Sequence, residues 1–239
     1  MRSEILRKLL RFDLRAADAD MQELIMLRAW NYLHHKEDAI WDPRGKRQAF
    51  SELGLKKPNI LLLGAGDGYD AMLLLSMYPG GHAVLVDFDG FCKTHRFGGF
   101  PGDYPFLAKD AKTGYWNVYT REDFDIDFEV CNIQDLGYGQ EFDVVLSVGL
   151  IEHYSDEDKP LAFDFHRKFL KPGGVAIMTS TRDLPRWRTF YHLTRERLGY
   201  CYRELMDERQ LGLYAHENGF TIRRCGVIKA HNFIVATER

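Results

Sequence analysis

The chain has 239 residues, 45% hydrophobic and 28% charged, with 32 Lys+Arg against 35 Asp+Glu for a net charge of −3. That is enough chain and apolar material to bury a full core, which excludes disordered and fibrous architectures, and the slightly acidic balance argues against a protein built mainly to hold nucleic-acid phosphates. No apolar run approaches the roughly 18 residues a membrane span needs.

The first 57 residues are expected to form a helical extension. Leu6, Leu10 and Leu14 stand at i, i+4, i+8, and a second run starts at Asp20, where Glu23 completes a capping-box pattern. Trp41-Asp42-Pro43-Arg44-Gly45 breaks the pattern and Lys57-Pro58 closes it. The core is expected over 58–239. Ile60–Leu63, Ala83–Val86, Val144–Leu146 and Val175–Met178 are short apolar runs of the kind found in strands buried on both faces. Helical patterns lie between them at Tyr69–Met77 and at Lys159–Leu170, the latter with Leu161, Phe165 and Phe169 on one side. A further helix starts at Asp207, capped by Gln210, and stops at Asn218-Gly219. Strand and helix in alternation predict an α/β fold, a doubly wound, mostly parallel sheet. The tail differs, because Phe220–Ile228 and Phe233–Thr237 are too closely spaced for a parallel pair and predict a terminal hairpin with one reversed strand.

Residues 90–127 are long for a single connection, and 11 of the chain's 32 aromatic residues fall between Phe88 and Phe128. Phe106–Asp110 and Tyr115–Tyr119 suggest a hairpin around Lys112-Thr113-Gly114. This insert reads as a substrate or homodimer surface, or as a satellite core at the sheet edge. A second stretch, 182–204, interleaves Arg182, Arg186, Arg188, Arg195, Arg197 and Arg203 with Trp187, Phe190, Tyr191 and His192. It can bind an anionic acceptor or RNA, or form a solvated helix face. The four cysteines make no CxxC pair or metal-like spacing, and the N-terminal residues, with Glu4 and Asp13, have no unbroken apolar stretch of the secretory kind. A reduced, cytoplasmic protein is expected.

The chemistry is concentrated at the first predicted strand. It runs straight into Gly64-Ala65-Gly66-Asp67-Gly68, and a helix follows at once. Glycines at such a turn let a ligand come close to the backbone at the helix start. Asp87 ends the second strand, 23 residues after Gly64, where an acid can accept both hydroxyls of a ribose. The pair implies an adenosine-type ligand across the carboxyl ends of the first two strands.

Phe142-Asp143-Val144-Val145-Leu146-Ser147-Val148-Gly149-Leu150-Ile151-Glu152-His153 resembles the fourth-strand motif of class I S-adenosylmethionine-dependent methyltransferases. The glycine loop, Asp87, Val130–Leu136 and Leu170-Lys171-Pro172-Gly173-Gly174 match further signposts of that family in order. The resemblance implies a seven-stranded Rossmann-like sheet, S-adenosylmethionine as donor and S-adenosylhomocysteine as product. It implies donor contacts at Gly64, Ala65, Gly66, Asp67, Gly68, Asp87, Phe88, Asn132, Ile133, Ser147 and Val148. His153, and less directly Tyr154, are the candidate proton acceptors for a small-molecule acceptor bearing the methylated oxygen or nitrogen. The N-terminal extension is implied as a cover over the donor. Leu62 stands where the family often has an acid, Asn132 where it has an adenine-binding acid, and Gly149 where metal-binding relatives have one, so no metal is expected. Alternatives are an aminopropyltransferase of the spermidine synthase type, which shares the glycine loop, a nicotinamide dehydrogenase, and a non-catalytic binding subunit.

Overall fold

The computed structural model describes residues 46–109, 115–193, 202–228 and 230–239. The helices expected before Lys46 and the turn at 112–114 lie outside the described residues. Seven strands form one mostly parallel sheet in the order Asp125–Val130, His82–Asp87, Asn59–Leu63, Phe142–Val148, Leu170–Thr181, His231–Glu238, Phe220–Ile228, as the alternation of strand and helix predicts. The chain divides into two compact units, one ending at Leu136 and one starting at Gly137.

In the first unit a short helix α1 (Lys46–Phe50) precedes β1 (Asn59–Leu63), α2 (Tyr69–Met77) and β2 (His82–Asp87). β1 and β2 pair in parallel, Leu61 against Val84, and are buried along nearly their whole length. Every residue of α2 from Tyr69 to Ser76 is buried except Asp70, whose carboxylate holds Lys46 of α1 at 2.8 Å. A helix apolar on all sides is a core element rather than a surface one. The third parallel strand, β5 (Asp125–Val130), pairs with β2 and sets Asp87 beside Val130.

Between β2 and β5 lies the aromatic insert. It contains a π-helical turn at Cys92–Phe97 and an antiparallel hairpin of β3 (Phe106–Lys109) and β4 (Trp116–Tyr119), where the sequence places one. Phe100, Tyr104 and Phe106 are all buried. They pack edge and face against each other and against Tyr69 of α2, with ring centroids 5.0–6.5 Å apart. Of the readings open for the insert, these side chains make the satellite core.

In the second unit β6 (Phe142–Val148) leads through α3 (Lys159–Phe169) into β7 (Leu170–Thr181), parallel to β6. The pairing shifts register between Phe142 and Val144, because Lys171–Gly174 bow out between Leu170 and Val175. Pro172 has no N–H for the ladder there, and Gly173 has φ +79°. α4 (Pro185–Leu193) follows, then α5 (Glu208–Glu217), β8 (Phe220–Ile228) and β9 (His231–Glu238). Asp207 and Gln210 form the expected capping box at α5, and β9 runs antiparallel to both β7 and β8. The buried residues of α3 are Lys159, Ala162, Phe163, Phe165, His166 and Phe169. Of the expected stripe Phe165 and Phe169 are buried, whereas Leu161 is exposed. Among the described residues no helix is long and apolar enough to cross a membrane.

Candidate functional site

In the first unit the candidate groups gather at the carboxyl end of the parallel strands. The turn after β1 is tied to the end of β2: the Gly64 and Ala65 amides both donate to the Val86 carbonyl at 2.9 Å, and the Gly66 amide donates to Asp87 Oδ2 at 3.0 Å. The other oxygen, Asp87 Oδ1, accepts the Asp89 amide at 3.0 Å. The carboxylate is therefore oriented by backbone on both sides. Cys92 also hydrogen-bonds Asp87, and burial together with that negative charge pushes its thiol up to about 12, so it stays protonated.

The glycines of the loop have separate roles. Gly68 has φ +74°, and a Cβ there would stand 2.7 Å from Leu85 Cδ1 and 3.0 Å from Phe97 Cδ2. It is a packing glycine, and it also begins α2. Gly66 has φ +55°, and a Cβ there would meet nothing within 4 Å. The space above Gly66 is open, as a loop that admits a ligand to its backbone requires. Asp67 accepts the Tyr69 amide through Oδ1 at 3.1 Å and so braces the start of α2.

Phe88, next to Asp87, is 78% exposed and presents an unburied ring. The register of β2 with β5 brings Asn132 and Ile133 to the same end, since the Cys131 amide donates to the Asp87 carbonyl at 3.1 Å. Asn132 is exposed; its Nδ2 donates to Asp135 Oδ2 at 3.4 Å, which leaves Oδ1 as an acceptor. Oriented acceptor, open glycine, exposed ring and free amide oxygen fit the ribose and adenine of an adenosine-bearing donor.

The second unit holds the remaining candidates. Ser147 is fully buried, and its hydroxyl pairs with His166 Nε2 at 2.9 Å. Its side chain is thus committed to α3, and only its backbone remains for a ligand. Val148, half-buried, ends β6, and Gly149 follows with φ +67°. A 3₁₀ turn, Ile151–His153, then carries Glu152 and His153.

Glu152 is completely buried. Its carboxylate accepts the Thr181 amide, the Thr181 hydroxyl at 2.8 Å and Arg203 Nη1. Arg203 in turn lies 4.3 Å over the Tyr191 ring and donates to the Tyr191 hydroxyl at 3.2 Å. A buried carboxylate with this many partners fixes a loop. Next to it, His153 Nδ1 stands 2.9 Å from the Tyr202 carbonyl. A carbonyl only accepts, so Nδ1 carries the proton and Nε2 keeps its lone pair. Burial, and then the Arg203 cation, hold the imidazole below its ordinary range, against the Tyr202 hydrogen bond and Glu152. His153 is therefore neutral near pH 7, with a basic nitrogen available. For Tyr154, burial and then Asp158 push the phenol up, the wrong direction for a proton acceptor.

Sequence reasoning missed Arg203 as an individual, grouping it with five other arginines. Arg188 pairs with Asp183 and Arg186 lies 5.3 Å over Trp187, while Arg195 and Arg197 lie outside the described residues. A buried Glu152 demands a cation, but no local pattern says which one supplies it. Among the described residues no cluster of three or more His, Cys, Asp or Glu side chains can hold a metal.

No curated protein matches the chain in sequence. In fold it is similar to a protein solved in complex with the Haloferax volcanii Trm112 methyltransferase activator, at 12% identity and TM-score 0.59 over 89% of this chain and 95% of that one. It is similar to human N-acetylserotonin methyltransferase solved with S-adenosylmethionine, at 16% identity and TM-score 0.60 over 91% of this chain but only 54% of the human one. It also resembles Burkholderia thailandensis 1,6-didemethyltoxoflavin-N1-methyltransferase, at 18% identity and TM-score 0.52 over 90% of this chain and 86% of that one. The family profile described as a methyltransferase domain matches residues 32–224, most of the sequence, and the chain belongs to that family.

Proposed function

We propose that the protein transfers a methyl group from S-adenosylmethionine to an oxygen or nitrogen of a small molecule and releases S-adenosylhomocysteine. The observation that carries this reading is the Asp87 carboxylate, held by the Gly66 and Asp89 amides beside an open glycine backbone. When bound, S-adenosylmethionine supplies an electrophilic methyl group on a sulfonium sulfur. The protein's own work is then positioning and proton handling. Asp87 would hold the ribose hydroxyls, and Phe88, Ile133 and the Asn132 Oδ1 acceptor would hold the adenine. His153 stands just past β6, where the resemblance puts the acceptor, and Nε2 takes the acceptor's proton when that acceptor is a hydroxyl.

Two observations support a small acceptor over RNA. The net charge is −3, and the arginines of the basic stretch are partly neutralised, Arg188 by Asp183 and Arg203 by Glu152. An aminopropyl transfer needs acids after β6 to hold a polyamine, and there Glu152 is already taken by Thr181 and Arg203 and Asp156 by Lys159. Lys46, within residues 1–57, binds Asp70 in the first turn of α2, the helix that follows the glycine loop. That contact supports the reading of residues 1–57 as a cover over the donor.

Calorimetric titration with S-adenosylhomocysteine tests the donor assignment. Asp87→Ala should weaken binding by roughly 2–3 kcal/mol, and Asp87→Asn, which keeps one acceptor oxygen, by less. Unchanged affinity in both variants would remove the donor from this site.

A further inference from the structure

The segment Tyr202–Glu204 does no chemistry in the reading above, yet charged side chains hold it on both sides. The Glu204 amide donates to the Glu152 carbonyl at 2.8 Å. Arg203 crosses to the Glu152 carboxylate and to Tyr191 of α4. Glu204 meets Lys159, whose side chain is 1% exposed and whose Nζ also donates to the Tyr154 carbonyl at 3.1 Å and to Asp156 Oδ1 at 3.0 Å. The segment is thus clamped on both sides of His153, through Glu152 before it and Tyr154 after it. Between these clamps the Tyr202 carbonyl faces His153 Nδ1.

We infer that Arg203 is a positioning residue for His153: bound to Glu152 and Tyr191, it fixes the Tyr202 carbonyl that holds the imidazole with its proton on Nδ1 and leaves Nε2 for the acceptor. The inference rests on His153 being the proton acceptor. A free imidazole in water interconverts between its tautomers, and a ring carrying its proton on Nε2 cannot accept there. The hydrogen bond from Nδ1 removes that wrong form, and it does so only while the carbonyl stays in place.

The charges around the ring act in the same sense. Glu152, on the same turn, is an anion, but its charge is matched by Arg203 at direct contact. From α3, Lys159 faces Glu204 and Asp156 and not the imidazole, and from α4 the Tyr191 hydroxyl faces Arg203 and Thr181. Arg203 is therefore the cation that opposes protonation of the ring, and with burial it keeps the base neutral at physiological pH.

Nitrogen-15 histidine spectra of the full chain, with the His153 signals assigned by their loss in His153→Asn, test this without any acceptor. In the wild type, His153 should show the proton on Nδ1 and an unprotonated Nε2. Arg203→Met should give mixed tautomers and a ring that titrates at higher pH, with unchanged affinity for S-adenosylhomocysteine. Because that change leaves a buried carboxylate without its cation, Glu152→Gln with Arg203→Met is the companion variant; Gln still accepts from Thr181, and the tautomer preference should be lost there too. A wild-type proton on Nε2 overturns the inference, as does a folded variant whose His153 keeps the wild-type tautomer. Normal turnover in His153→Asn would instead remove the base while leaving the tautomer result standing, so the two failures are separable.

Discussion

Replacing His166 by glutamine tests how the core behind β6 is held. His166 is fully buried on α3; its Nδ1 donates to the Ala162 carbonyl at 2.7 Å, and its Nε2 accepts from the Ser147 hydroxyl at 2.9 Å. Both nitrogens are satisfied in the neutral ring, and a proton on Nε2 would place a charge in a fully buried site. Burial accordingly pushes the imidazole from its ordinary 6.5 down to about 4. With a depressed histidine pKa, the unfolded chain takes up a proton near its ordinary value and the folded chain does not. Stability from this site is complete above about 6.5 and is lost as the pH falls toward 4. At about 1.4 kcal/mol per pH unit, the loss at pH 5 is about 2 kcal/mol. Glutamine can keep a donor and an acceptor but does not titrate. His166→Gln should therefore lose about 2 kcal/mol less stability than wild type between pH 7 and pH 5, roughly 4–8 °C in melting temperature for a chain of this size. Denaturant unfolding of both proteins at the two pH values gives the difference directly, and the other titrating groups cancel in the comparison. Parallel pH dependences would show that His166 is not held neutral in the fold.

The two loop glycines should separate stability from binding. Gly68→Ala places a Cβ against Leu85 and Phe97 and should cost about 1–3 kcal/mol more in unfolding free energy than Gly66→Ala, which should lose S-adenosylhomocysteine affinity instead; equal destabilisation of the two would refute the division. For the buried lysine, the outcome depends on which partner is removed. Burial alone would lower the Lys159 pKa, but the Glu204 and Asp156 carboxylates outweigh it and raise it. Glu204→Ala strands the cation with Asp156 and should cost about 2–4 kcal/mol, and Lys159→Met, which removes the buried charge itself, should cost less. The reverse order in denaturant unfolding would show that the pair is not organised around the lysine.

The sequence by itself determined whatever depends on neighbours within a few residues. Apolar runs marked β1, β2, β6 and β7, Asp207 and Gln210 marked the start of α5, and the close spacing of the last two strands required an antiparallel pair. Glycines ending one strand and an acid ending the next marked the end of the sheet proposed to hold the donor, because backbone approach and ribose recognition impose those residue types at short, fixed distances. Tertiary structure decided the rest. β6 is buried on both faces, so period-two alternation is missing and nothing local shows that Ser147 faces His166. The aromatic insert carries the same composition whether its rings turn outward or inward, and only packing against Tyr69 settles it. The partner of Glu152 lies 51 residues further along the chain, and the carbonyl that sets the His153 tautomer lies 49 away. Such pairs leave no periodic trace, because the strand ends of the folded sheet, and not the chain between them, bring the two groups into contact.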